Sequence, residues 1–226
     1  MFKGNPKFGF TLAEVLVTLG IIGVVSAMTI PSLTQAWQKQ AYATQLKKIY
    51  SSLSQAAMQA IQEDEAIRLE ESSYIGENGV KEFFRKNFKI VQECNGSITP
   101  CFASKYKTID GVEHNSSDWR ADYAVTTADG YSIAVVWNGL EFYRSYGDYD
   151  SHGYFSLQVD INGKKGPNVG GRDLFHLELY SDGKVAESYS WIRDPQDSKD
   201  QCVEGWGYPG AGCLSSLIQN GWTMDY

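Results

Sequence analysis

The sequence predicts an α+β fold in which one long N-terminal helix packs on a small antiparallel sheet. Three observations carry this prediction. A charge-free stretch over residues 15–33 opens a region that lacks glycine between Gly23 and Gly76 and proline between Pro31 and Pro100, which is what a long uninterrupted helix requires. An amphipathic pattern continues that stretch on its C-terminal side. Beyond Ser72 the chain changes character, holding 18 of the 22 glycines together with segments of strand-like composition.

The helix is justified residue by residue. Between Phe8 and Gln38 the only charged side chain is Glu14, and the nineteen uncharged residues that follow it are enough to enter a bilayer. Tyr42, Leu46, Ile49, Leu53, Ala57, Ala60 and Ile61 then recur at spacings of three and four among Gln, Lys and Ser. One helix over residues 11–68 would be a rod of roughly 85 Å. That exceeds a bilayer, so its outer half must pack on protein. Pro31 lies inside it and is expected to kink or loosen one turn.

The sheet follows. Residues 131–138 and 154–162 are rich in β-branched and aromatic side chains, and residues 174–180 alternate cleanly. Asn138-Gly139, Asn162-Gly163 and Asp182-Gly183 supply hairpin-type turns. The expected product is an antiparallel meander with one face covered by the amphipathic stretch from Tyr42 to Ile61.

Composition narrows the function. Twenty basic against 27 acidic side chains give a net charge of −7, which provides no general attraction to nucleic acid. A 42% hydrophobic content excludes disorder over the whole length. Cys94, Cys101, Cys202 and Cys213 all lie in the second part. Four cysteines allow three connectivities, and the short separations favour Cys94 with Cys101 and Cys202 with Cys213, which implies an oxidising, extracytoplasmic compartment. No Cys-x-x-Cys occurs and His114, His152 and His176 are scattered, which argues against zinc. Gly-x-Ser-x-Gly, His-Glu-x-x-His and P-loop motifs are missing too, so the chain does not read as an enzyme. Trp206, Tyr208 and Trp222 read as packing for a Gly-rich C-terminal loop, with stacking on glycans or subunits as the alternative.

The amino terminus admits three readings. A secretory signal would be cut near Val25-Ser26-Ala27, but Glu14 interrupts its apolar core. An ordinary uncleaved anchor is the second, and lysines on both sides leave its orientation undecided. The third rests on Gly9-Phe10-Thr11-Leu12-Ala13-Glu14 followed by an apolar run through Pro31. This segment resembles the class III signal of type IV pilins and type II secretion pseudopilins.

The resemblance implies cleavage after Gly9 by a prepilin peptidase, which also methylates the new terminus at Phe10. It further implies that Glu14 neutralises the N-terminal amine of a neighbouring subunit, and that the helix around Pro31 belongs to the assembly core. Its implied organisation is a leader (1–9), a membrane-spanning half of the helix (10–35), an amphipathic half (36–70) and an antiparallel β head with disulfide loops (71–226). The implied partners are the peptidase, other pilin or pseudopilin subunits and the inner membrane, with an extracytoplasmic head that later joins a filament, as a minor subunit. The alternative function is a membrane-anchored extracytoplasmic binding domain that never polymerises.

In the head, residues 160–175 and 213–226 resemble segments of numerous pilin-like proteins without naming a role. Asp160, Asn162, Asn168 and Asp173 place four oxygen-bearing side chains around one turn, and calcium takes six to eight oxygens. Some pseudopilins hold calcium in a head loop, so the resemblance adds to this reading. Against it, Lys164 and Lys165 oppose a cation, and Asn-Gly with Gly-Pro suffices as turn chemistry. No other cofactor is implied.

Overall fold

The computed structural model describes residue 9 and residues 11–94, 97–138, 153–187, 195–204 and 208–226. By internal contacts the chain divides into two compact units, Met1–Gln40 and Ala41–Tyr226. Helix α1 (Leu12–Glu63) supplies the described helical residues of the first and opens the second.

In the first unit the apolar side chains of α1 are exposed; Leu16 and Ile22, for example, are 61% and 60% accessible. The helix continues through Pro31. Proline offers no N–H to the carbonyl of Ala27; around it the hydroxyls of Thr29, Ser32 and Thr34 donate to the carbonyls of Val25, Thr29 and Ile30, each at 2.9 Å.

In the second unit α1 buries Ala43, Leu46, Ile49, Leu53, Ala56, Ala57 and Ala60. Tyr42 and Ile61, at the ends of the same stripe, are partly buried against that core. The helix stops at Glu63 rather than near Arg68. Residues beyond it turn back, and Ser73 donates its N–H (2.6 Å) and hydroxyl (2.8 Å) to the Asp64 carboxylate.

Helix α2 (Gly76–Asn87) stands where the sequence predicted only β head. Val80, Phe83 and Phe84 bury one helical face, but Gly76 and Gly79 mask that period in the sequence. Gly79 is required by a close approach, because a Cβ there would stand 2.2 Å from the backbone carbonyl carbon of Tyr74. Phe83 meets Tyr74 and Phe155 edge to face at 5.6 and 5.5 Å, contacts that add to area burial. An ion pair between Lys86 and Glu63 ties α2 to the end of α1.

The strands, in chain order, are β1 (Ile90–Cys94), β2 (Lys105–Lys107), β3 (Glu113–Asn115), β4 (Tyr123–Thr127), β5 (Ser132–Trp137), β6 (Gly153–Asp160), β7 (Leu174–Tyr180) and β8 (Val185–Ala186). Six of them form the main antiparallel sheet, in the order β1-β4-β5-β6-β7-β8. β2 and β3 form a separate ribbon. β5, β6 and β7 form the expected meander, which β4 and β8 extend and β1 joins at the edge beside β4.

Both faces of that sheet are covered. One carries Val125, Ile133, Val135, Phe155, Leu157, Val159, Phe175, Leu177 and Leu179 into a core shared with α1 and α2. The other presents Ala124, Ala134 and Leu174 to Ile98, Phe102, Tyr106 and Trp119. Double burial explains why β5 reads as a nearly continuous apolar run. Asn162-Gly163 is not a tight hairpin: residues 161–173 intervene between the paired ends of β6 and β7. Asp182-Gly183 does turn tightly, with Tyr180 N–H bonded to Lys184 C=O at 2.8 Å. Gly139 lies outside the described residues. Two further helices, α3 (Pro195–Glu204) and α4 (Cys213–Gln219), complete the head and were not predicted.

Candidate functional site

The start of α1 is built as a reciprocal cap. Thr11 immediately precedes the helix and Glu14 is its third residue. The Glu14 carboxylate accepts the Thr11 N–H at 2.8 Å and the Thr11 hydroxyl at 2.7 Å, while Thr11 Oγ1 accepts the Glu14 N–H at 3.3 Å. This is a capping box, which meets donors that the helix itself leaves open. Both bonds to the carboxylate use Oε2, which leaves Oε1 for another donor. Gly9 is exposed, with open space where a Cβ would stand. Phe10 lies outside the described residues.

In the head, the structure brings Asp160, Asn162, Asn168 and Asp173 together in the loop between β6 and β7. Asp160 is fully buried; its Oδ2 accepts the Tyr106 hydroxyl at 2.5 Å and its Oδ1 the Asn162 N–H at 3.1 Å. Asp173, also buried, accepts the N–H groups of Asn168 and Val169, both at 2.7 Å, and the Asn162 side-chain amide at 3.4 Å. The same amide donates to Tyr42 Oη at 3.1 Å, and Gln45 Nε2 donates to Ile161 C=O at 2.6 Å. The loop is thereby fastened to α1 within the second unit. Burial pushes the Asp160 carboxyl up to about 8 and that of Asp173 up as well. Tyr106, Tyr42 and Gln45 were not anticipated here, because their partners lie far along the chain.

Chemically the arrangement holds a loop closed. The carboxylates already accept backbone N–H groups, the geometry of turn-capping aspartates. The side-chain oxygens of Asn162 and Asn168 are buried without a hydrogen-bond partner. Among the described residues no cluster of three or more His, Cys, Asp or Glu side chains is placed to hold a metal.

The disulfides Cys94–Cys101 and Cys202–Cys213 fix the surroundings. Gly171, at φ +80°, lets the loop reach the second of them: a Cβ there would lie 2.6 Å from Cys213 Sγ and 3.0 Å from Cys202 Sγ. Tyr226 donates its hydroxyl to Gly171 C=O at 2.9 Å. Glu187, buried and raised to about 8 by burial, accepts the N–H groups of Gly212 and of Ser215 (2.9 Å) at the start of α4. Trp222 packs edge to face on Tyr50 at 5.5 Å; Tyr208 is exposed beside His176, and Trp206 lies outside the described residues.

Residues 4–30 match the family model of the prokaryotic N-terminal methylation motif. The chain carries that motif. It is the signature of type IV pilins and pseudopilins, and the matched residues include Gly9, Phe10, the Thr11–Glu14 cap and the apolar run as far as Ile30. The chain matches no curated protein and no solved structure at a significant level. The motif covers 27 of the 226 residues, and the fold behind it, a long N-terminal helix with a small antiparallel sheet, is pilin-like.

Proposed function

We propose that the chain is a structural subunit, cut after Gly9, methylated at Phe10 and assembled through α1 into a type IV pilus or a type II secretion pseudopilus as a minor component. The observation that carries this reading is the motif at residues 4–30, continuous with an apolar helix long enough to cross a membrane. Beyond the apolar run Trp37 is 76% exposed, and Lys39 is the first charge after Glu14. An aromatic ring followed by a cation suits the membrane–water boundary. Prepilin peptidase and other pilin-type subunits are the partners on this reading, and the head stands outside the cytoplasm, where its disulfides are stable. Its role is architectural rather than catalytic.

The test is the mature amino terminus. Mass spectrometry of the membrane-extracted protein should find Met1 to Gly9 lost and one methyl group on Phe10, and Gly9→Leu should prevent both. Cleavage after Ala27, or retention of Met1, would refute the proposal; retention would favour a permanent anchor bearing a binding domain.

A further inference from the structure

The β2–β3 ribbon carries a motif far in sequence from the N-terminal signal. β3 runs directly into a 3-10 turn, Ser116–Asp118, so that Glu113-His114-Asn115-Ser116-Ser117 forms one strand end and corner, exposed at Glu113, Asn115 and Ser117. Asn-x-Ser with a residue other than proline between is the acceptor pattern for N-linked glycans. We propose that Asn115 is a glycosylation site, modified from a lipid-linked donor at the outer membrane–water face of the bilayer that holds α1. The proposal rests on the reading above only for placing the head outside the cytoplasm.

Four observations support it. Glu113 and Asn115 are exposed while His114 between them is half buried, so the carboxylate and the amide project from the same solvent face of the strand. The fold asks nothing of the Asn115 side chain, which occupies the cap position of the turn, where asparagine is favoured, yet makes no side-chain cap hydrogen bond. Ser116, by contrast, is buried and donates to Ala103 C=O at 2.6 Å, so the fold accounts for the middle residue and leaves Asn115 and the exposed Ser117 to solvent. Finally, only two of the nine asparagines have Ser or Thr two residues on, and both have Glu two residues before, in Glu113-His114-Asn115-Ser116-Ser117 and in Glu93-Cys94-Asn95-Gly96-Ser97. About one residue in eight is acidic, so the shared offset is uncommon by chance. Asn95 lies outside the described residues and the proposal does not include it.

The chemistry balances with one co-reactant, a glycan carried on a polyprenyl diphosphate. The Asn115 amide nitrogen attacks the anomeric carbon of the first sugar, forming the N–C bond as the C–O bond to the diphosphate breaks. The lipid diphosphate departs with the electron pair, and the amide proton passes to a base of the transferase. The Glu113 carboxylate gives a basic transferase cleft a charged handle. Its ion pair with Lys105 at 2.5 Å is exposed, so it opens at little cost.

The test uses the full chain purified from the membranes of its native host. Trypsin releases residues 108–120, which contain a single asparagine. That peptide should carry sugar oxonium ions and an added mass localised to Asn115. Asn115→Gln and Ser117→Ala should each abolish the mass with both disulfides intact, and Glu113→Gln should lower occupancy several-fold. An unmodified peptide from molecules that begin at methylated Phe10 overturns the glycan and spares the processing; retained Met1 overturns the processing instead. Added mass that persists in Asn115→Gln, on Ser116 or Ser117, also overturns the assignment.

Discussion

Two buried acids give the head an unusual dependence on pH. Asp160 and Glu187 are both pushed up to about 8, chiefly by burial, whereas in the unfolded chain they ionise near ~4. Between those values the folded protein holds protons that the unfolded chain has released, so stability falls as pH rises through the window. From pH 8 to pH 6.5 each acid goes from half to almost fully protonated in the fold. That step is worth about 2 kcal/mol per group, and about 3 kcal/mol for the two together. For a domain of this size it corresponds to a rise of roughly 6–12 °C in melting temperature. Asp173, also raised by burial, acts in the same direction. His176 opposes it only below about pH 6.5: burial lowers it to about 4, so its contribution is lost as the unfolded imidazole charges. Glu63, Asp64, Glu93 and Glu113 are all lowered, by hydrogen bonds first, and titrate below the window. The assay is calorimetry of residues 41–226 in chelator at pH 8 and 6.5. Asp160→Asn mimics the protonated acid, keeping an acceptor for the Asn162 N–H and offering Tyr106 a donor, and should remove about half of the rise. A flat or falling melting temperature between pH 8 and 6.5, or an undiminished rise in Asp160→Asn, refutes the reasoning. The same cells test calcium. An ion among Asp160, Asn162, Asn168 and Asp173 would hold the carboxyls ionised, so added calcium would raise the melting temperature at pH 8; indifference to calcium retires that ligand set.

Other outcomes follow from the packing and the cap. Leu53→Ala, at a fully buried position where α1 meets the sheet, should cost about 2–5 kcal/mol in denaturant unfolding; a loss under 1 kcal/mol would mean the helix is loosely seated. Gly171→Ala combines a left-handed backbone with contact on the buried Cys202–Cys213 link and should destabilise the head by about 2 kcal/mol or more, read as a lower urea midpoint at unchanged slope. Glu14→Val removes a polar cost in the bilayer and should leave membrane insertion intact while reducing incorporation into filaments, measured by fractionating sheared filaments from membranes. Unchanged filament yield would refute a pairing role for Glu14.

The parts of the fold that are legible in the sequence are those where one physical signal dominates. The lack of Gly after Gly23 and of Pro after Pro31, with the spacing from Tyr42 to Ile61, specifies α1 beyond Pro31, and alternation with flanking turns specifies β5, β6 and β7. Helix α2 is hidden because Gly76 and Gly79 weaken its propensity, and the fold keeps Gly79 for a backbone contact with Tyr74 that no local pattern announces. β1 and β4 are short, and their pairing skips over β2 and β3, so nothing near them in sequence marks the partner. In the loop of residues 161–173, the oxygen-bearing residues can be named from the sequence. Their engagement by Tyr106 and Tyr42 cannot, because those contacts join residues 54 and 120 positions apart. The Thr11–Glu14 cap is the opposite case: Thr-x-x-Glu before an apolar run is a readable local signature, masked by the more conspicuous role of the glutamate as a charge for another subunit.

Those two roles of Glu14 are compatible, and the bilayer is the reason. In water the open N–H groups of a first helical turn bind solvent, but in hydrocarbon each must find a partner within the protein. The capping box supplies one to the Thr11 N–H and one to the Glu14 N–H at 2.8 and 3.3 Å, so the helix enters the membrane with part of its start already satisfied. The carboxylate that does this still bears a full charge, which costs about 2.5–3.5 kcal/mol at the bilayer centre on insertion scales. Thr11 hydroxyl and amide donors are neutral and engage Oε2 alone; they orient the group without cancelling its charge. A cation from outside the helix can cancel it, and on the proposed processing a cut after Gly9 would create one at each new amino terminus. Because Thr11 engages Oε2 alone, an amine presented by a second helix would find Oε1 as an acceptor with the cap intact, which is how capping and the proposed pairing between subunits can coexist.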